Sequence, residues 1–292
     1  MPEGTASQRS TFDASSARLN ESWPAPAEQI TLSSDFGNTV VHVSGRADAP
    51  ALVLLPAYQA SSAEWIALAR SLNGALRVYA VDLIGDAGGS TAGSRAIASP
   101  QDIVSWLDTV LDGLGLPTAA LGGHSYGAWI ADEYAQHRPD RVGRLILLDP
   151  TMVFGTLLPS YVVRAMPFIL RPTPGKRRWL IRWETRKIEL DPDWLEMTAA
   201  AAEVFAHAPT VPTKIPAKTA CAKTRVPTLV IIAEKSRVHS ARRVAGRAAK
   251  LLPNGEVQMM KGASHYGLPM THAAEVAALI TSPRSPAPPF RA

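Results

Sequence analysis

Cysteine is almost missing from this chain: among 292 residues there is only Cys221. A single cysteine cannot close an internal disulfide, which fits a reducing, cytoplasmic setting. With no ligand-type residue patterned beside it, Cys221 suggests neither a metal nor a redox centre. Charge is also scarce. Asp, Glu, Lys and Arg make up 19% of the chain, and the net charge of +5 is spread out rather than clustered. That is poor ground for a nucleic-acid partner, which needs a basic patch. No apolar run approaches the roughly 20 residues of a membrane span, so no membrane partner is expected. Met1 to Ser22 is polar and lacks the apolar core of a secretory signal.

What the chain does have is apolar content, 46%, enough for a sizeable core. It is delivered in short bursts. Ala51–Leu55, Val78–Val81, Leu145–Leu148 and Leu229–Ile232 are continuous apolar runs of strand length, as expected for strands buried on both faces. Thr118–Leu121 is a short, mostly apolar run, and Val257–Met260 reads as the last strand. Amphipathic helical patterns separate them. One begins with Ser99, Pro100 and Asp102, a capping box with proline at the first helical position, and carries the stripe Ile103, Leu107, Val110 and Leu114. Strands alternating with helices predict an α/β fold, a mostly parallel sheet with helices on both faces. Ahead of it, Gln29–Ser33 and Thr39–Ser44 flank a turn-forming Asp35–Asn38 and read as a hairpin.

The alternation fails between residues 151 and 225, where prolines, tryptophans and arginines dominate and helices are expected near 161–170 and 176–190. The expected organisation is therefore a flexible N-terminal arm over 1–27, a core over 28–150 and 226–281, a helical cap inserted at 151–225, and a disordered, Pro-rich tail at 282–292. Within residues 171–187 of that insertion, Arg171, Lys176, Arg177, Arg178, Arg182, Arg186 and Lys187 stand against Glu184 alone. They read either as a solvated helix face or as an electropositive lid favouring acidic substrates. Trp179, Trp183 and Trp194 read either as pocket lining or as packing.

The stretch with chemistry in it is Gly123-His124-Ser125-Tyr126-Gly127. It follows an apolar run and precedes the helical stripe Tyr126, Trp129, Ile130 and Tyr134. A strand that turns directly into a helix around one serine forces close backbone approaches two residues before and two after it, where glycine alone fits. The serine hydroxyl is then held above the end of a sheet at a helix N-terminus, a good position for a nucleophile.

With Gly262-Ala263-Ser264-His265 late in the chain, Val226-Pro227-Thr228-Leu229 entering a late strand and Asp82-Leu83-Ile84-Gly85 after an early one, the sequence resembles the α/β-hydrolase superfamily over about residues 28–281. The resemblance implies a Ser–His–acid triad with Ser125 as nucleophile and His265 as base. His124 lies inside the serine turn and is expected to pack or line the rim; His207, His239 and His272 have no motif behind them. The acid is open. The family's commonest position falls on Ser236, which leaves Asp149, Glu234 or no acid. The resemblance also implies two backbone oxyanion donors: Tyr126, and one from the loop after Leu55. Pro56 has no N–H, so Tyr58 or Ala57 supplies the second. A small-molecule acyl substrate, an ester, thioester or lactone, is expected, with no cofactor and no metal. Another reaction on the same fold, or a binding protein with a degenerate triad, stays open.

Overall fold

The computed structural model describes residues 6–186, 188–206, 208, 210–213, 215, 226–252 and 255–282. Its strands are β1 (Ala27–Ser34), β2 (Gly37–Ser44), β3 (Ala51–Leu55), β4 (Arg77–Val81), β5 (Thr91–Ala92), β6 (Ala119–His124), β7 (Val142–Leu148), β8 (Thr228–Ala233) and β9 (Gly255–Met260). They form one sheet in the order β1-β2-β4-β3-β6-β7-β8-β9, with the two-residue β5 paired to β2. β1, β2 and β5 pair antiparallel, and everything from β4 through β9 along that order is parallel.

The central strands are apolar on both faces because both faces are covered. Val53 and Leu55 of β3 point into a layer with α3 (Pro100–Gly113), α4 (Tyr126–His137) and α8 (Ala241–Leu251). Leu52 and Leu54, one residue out of phase, point into the opposite layer with α2 (Ile66–Leu72) and α9 (Ala273–Thr281). The capping box of α3 forms as its sequence requires: Ser99 accepts from the Asp102 N–H and the Asp102 carboxylate accepts from the Ser99 N–H.

Between β7 and β8 the chain leaves the sheet to build α5 (Pro159–Leu170), α6 (Pro174–Glu184) and α7 (Pro192–Val204). α6 is shorter than the expected 176–190: it stops at Glu184, and Arg186 takes φ 54°, outside the helical region. α7 has no counterpart in the sequence reading, because its alanine run Ala199–Ala202 carries no apolar-polar period. Its start is nonetheless signalled by Asp191, whose carboxylate accepts from the Trp194 N–H, and by Pro192.

The arm over residues 1–27, expected to be flexible, is a docked helix where it is described. Ala6–Asn20 forms α1, which packs along α7 and buries Phe12 and Leu19 with the nearby Trp23. Two apolar residues seven apart are too sparse a stripe to signal a helix by period; the partner surface on α7 supplies what the local pattern lacks. Cys221, His207, Lys187 and all of the expected tail except Ser282 lie outside the described residues.

Candidate active site

The parallel strands all end on one rim, and the rim gathers the residues of interest. β6 runs into α4 through Ser125, which takes φ 54° and ψ −112°, a strained backbone for a residue with a side chain. The glycines explain how the turn is tolerated. A Cβ on Gly123 would meet the Gly127 carbonyl oxygen at 2.2 Å, and one on Gly127 would meet the Leu55 oxygen at 2.2 Å and the Pro56 oxygen at 2.5 Å. The serine turn is therefore pressed against the loop that leaves β3. The Ser125 N–H donates to the Leu148 oxygen at 3.1 Å, which also ties the turn to the end of β7.

The next residue after Leu148 is Asp149, fully buried and also at positive φ, 39°. Its Oδ2 lies 2.6 Å from His265 Nδ1, and its Oδ1 accepts from the Ala233 N–H at 2.9 Å. A second histidine, His239, places Nε2 3.0 Å from the same Oδ1, off the line of a hydrogen bond. Burial alone pushes the Asp149 carboxyl up. The two histidines outweigh it and hold the group well below its usual value, so it is a carboxylate. For His265 the balance goes the other way. Burial and the neighbouring His124 charge lower the imidazole against the pull of Asp149, down to about 4, so it is a neutral base at pH 7. The His265 ring lies 4.5 Å, centroid to centroid, from His124, the residue just before Ser125. Serine turn, imidazole and carboxylate thus share one corner of the rim.

Glu234, the alternative acid, is elsewhere: its carboxylate accepts from the Gly262 N–H at 2.9 Å and faces Lys235. Of the two options after Leu55, the Ala57 N–H is already committed, donating to Glu64 Oε2 at 2.9 Å. The Tyr58 ring meets Tyr126 edge-on at 6.4 Å. Tyr126 opens α4, so its N–H belongs to the first turn, whose donors have no partner within the helix.

Three charged residues here escape a motif search. Glu64, fully buried, accepts the Ala57 N–H with one oxygen and approaches His124 Nδ1 to 2.6 Å with the other. Burial lowers the His124 imidazole, but the Glu64 charge and hydrogen bond outweigh it and raise it overall. Glu184, at the end of α6, accepts the backbone N–H groups of His265 (2.9 Å), Tyr266 (3.3 Å) and Arg237 (3.3 Å). Burial raises its carboxyl to about 7 in spite of those donors. Arg177 lies on the same inward stripe of α6, with Leu180, Ile181 and Glu184. Two charges at i and i+7 on an apolar stripe are the signal that could have found this pair.

The insertion's tryptophans divide. Trp194 is buried 6.0 Å from the Tyr266 ring, whereas Trp179 and Trp183 line an open groove of about 1120 Å³ on the outer side of α6. Arg164 and Arg237 stack over Trp183. None of Ser125, Asp149 or His265 lines that groove. Among the described residues no group of three or more His, Cys, Asp or Glu side chains is disposed to hold a metal. No helix among them is long and apolar enough to cross a membrane.

Comparison with known proteins agrees with this fold. A family model described as "Alpha/beta hydrolase family" matches residues 52–279. Carboxylesterase YbfK of Bacillus subtilis (strain 168) is 29% identical over 254 residues, covering 83% of either chain. The crystal structure of carboxylesterase CesB (YbfK) from the same species superposes with a TM-score of 0.85 at 25% identity, covering 94% of this chain and 99% of that one. Naproxen esterase (carboxylesterase NP), also from B. subtilis, has a TM-score of 0.85 at 23% identity over 96% of this chain and 100% of its own, a likeness of fold.

Proposed function

This chain belongs to the α/β-hydrolase family, and on that premise we propose that it is a serine esterase whose triad is Ser125, His265 and Asp149. The observation that carries the reading is the buried 2.6 Å contact of Asp149 with His265 beside the strained serine turn. Asp149 fixes Nδ1 as the protonated nitrogen and stabilises the imidazolium that forms, leaving Nε2 to take the serine proton. A free serine hydroxyl is too weak an acid to attack a carbonyl unaided, so this proton transfer is what makes Ser125 reactive.

Attack of Oγ on the acyl carbon develops an oxyanion, which the backbone N–H groups of Tyr58 and Tyr126 stabilise. The commitment of the Ala57 N–H to Glu64 supports Tyr58 as the second donor. His265 then protonates the departing alkoxide, leaving an acyl-Ser125. Water activated by the same imidazole attacks that ester, and Ser125 recovers its proton as the acid leaves. Helices α5 to α7 serve as a cap over this corner, a role supported by the Glu184 carboxylate that grips the His265 loop. The substrate is a small carboxylic ester, as the names of the Bacillus esterases suggest, and the setting is cytoplasmic.

Fluorophosphonate labelling followed by intact mass tests the reading, together with hydrolysis of 4-nitrophenyl esters. Wild type is expected to gain one adduct and turn over the ester, and Ser125→Ala to do neither. Labelling that survives in Ser125→Ala, or a wild type that neither labels nor hydrolyses any short ester, overturns it.

A further inference from the structure

Resting on the esterase reading above, we propose that Arg177 forms a subsite for a carboxylate carried by the substrate, so that the preferred esters are anionic. Among the basic residues of α6, Arg177 is set apart by burial. Arg178 pairs with Glu196 at 2.8 Å and Arg182 is exposed, whereas Arg177 is 3% exposed. A guanidinium brings five N–H donors. One donates to Tyr266 Oη at 3.3 Å and another to the Tyr58 carbonyl at 3.4 Å; Nε, although buried, has no partner. Both acceptors are neutral and both bonds are long. The rings of Phe168 and Tyr266, each 5.5 Å from Cζ, offset part of the charge but do not neutralise it.

Burying a cation without an anion is costly, and native proteins avoid it unless the anion arrives with something else. The two nearby acids are committed. Glu184 accepts three backbone N–H groups, and Asp86 accepts those of Gln59 (3.0 Å) and Ala87 (2.7 Å). Burial raises both carboxyls to about 7, so neither is a full counter-charge. The position of Arg177 points the unmet charge at the chemistry. Tyr58 is the proposed oxyanion donor, and Tyr266 follows the proposed base. A planar fork with free N–H groups suits a carboxylate, which it can hold by two parallel bonds. The competing role is a mechanical one, with Arg177 clamping α6 to the two loops.

Paired esters separate the two roles. In one arm the carboxylate is on the acyl half, 4-nitrophenyl hydrogen glutarate against 4-nitrophenyl valerate. In the other it is on the leaving group, 4-carboxyphenyl butyrate against phenyl butyrate. In one of the arms wild type is expected to favour the anionic ester through a lower KM. Arg177→Gln is expected to collapse that preference by on the order of 100-fold, with Arg177→Lys in between and Arg182→Gln retaining the full preference. Glutarate is expected to protect wild type against thermal unfolding, and glutaramide not.

No preference for the anion in either arm overturns the subsite. So does an Arg177→Gln variant that loses anionic and neutral esters by the same factor, which marks a clamp, or equal protection by glutarate and glutaramide. If Arg177→Gln fails to take up fluorophosphonate, the wild-type preference and the glutarate comparison decide. A wild type that glutarate protects but that hydrolyses nothing would sink the esterase reading and keep the anion site.

Discussion

Asp149 Oδ2 and His265 Nδ1 are 2.6 Å apart, although 116 residues separate them in the chain. The contact brings together the end of β7 and the loop after β9, two strands that do not touch, with β8 between them. Asp149→Asn keeps the shape and removes the charge, so the imidazole loses the acceptor that sets its tautomer. The expected outcome is a fall in kcat of about 10⁴-fold with little change in KM for a 4-nitrophenyl ester. Glu234→Gln is expected to stay near wild type, since that carboxylate holds the Gly262 N–H rather than an imidazole. Full activity in Asp149→Asn alongside a dead Glu234→Gln would reverse the assignment of the acid.

The expected pH dependence follows from the protonation state of His265, the proposed base. Burial, then the neighbouring His124, lower His265 from 6.5 to about 4 against the opposing effect of Asp149. Only the neutral imidazole can accept the serine proton, so activity is lost when pH falls through that value, not as it rises. The kcat/KM of an ester stable to mild acid is expected to stay level from pH 8 to about 5 and then fall about tenfold per unit below about 4. A limb centred at 6.5 would mean that the site is open to water and that His265 is not held as described.

The serine turn is legible in the sequence because its constraints are local. Gly123 and Gly127 are dictated by carbonyl oxygens that come within 2.5 Å of where their Cβ atoms would lie, and their spacing around Ser125 records that. The central strands β3, β4, β6, β7 and β8 are legible for the same reason, as runs that solvent would not tolerate, whereas the exposed two-residue β5 is not. The supporting carboxylates are not. Glu64 reaches His124 across 60 residues and Glu184 reaches His265 across 81, and neither is marked by its neighbours in sequence. α1 and α7 escape the pattern differently: each lacks an apolar period of its own, α1 is buried by packing along α7, and α7 by α1, α6 and Tyr266.

Glu64 is the supporting residue with most at stake. One oxygen takes the Ala57 N–H in the loop after β3 and the other meets His124 at the serine turn, all in the interior. Glu64→Ala would leave a buried imidazole and a buried N–H without partners. Removing one member of a buried pair typically costs about 3–5 kcal/mol, and urea denaturation is expected to show a loss of that size with an unchanged m-value. Because the same carboxylate joins the two loops, fluorophosphonate labelling is expected to slow well beyond what partial unfolding explains. A variant as stable and as reactive as wild type would leave Glu64 without the role assigned to it.

Two of the contacts that dock α1 look comparable on paper. Arg18 meets Asp193 at 2.6 Å, and Phe12 meets Phe205 edge-on with centroids 5.1 Å apart. The ion pair is exposed, so water competes for both partners and salt screens what remains. Phe12 is 4% exposed and sits in the layer that also holds Trp194 and Met197 of α7. Phe→Ala at a buried site typically costs about 3 kcal/mol or more, because the ring leaves a cavity that a helix fixed by its neighbours cannot close. Phe12→Ala is therefore expected to lower the urea midpoint clearly and to expose residues 6–20 to limited proteolysis. Asp193→Ala is expected to leave both unchanged at 0.15 M salt. Should Asp193→Ala release the helix while Phe12→Ala does not, charge rather than apolar burial would be what holds α1 on α7.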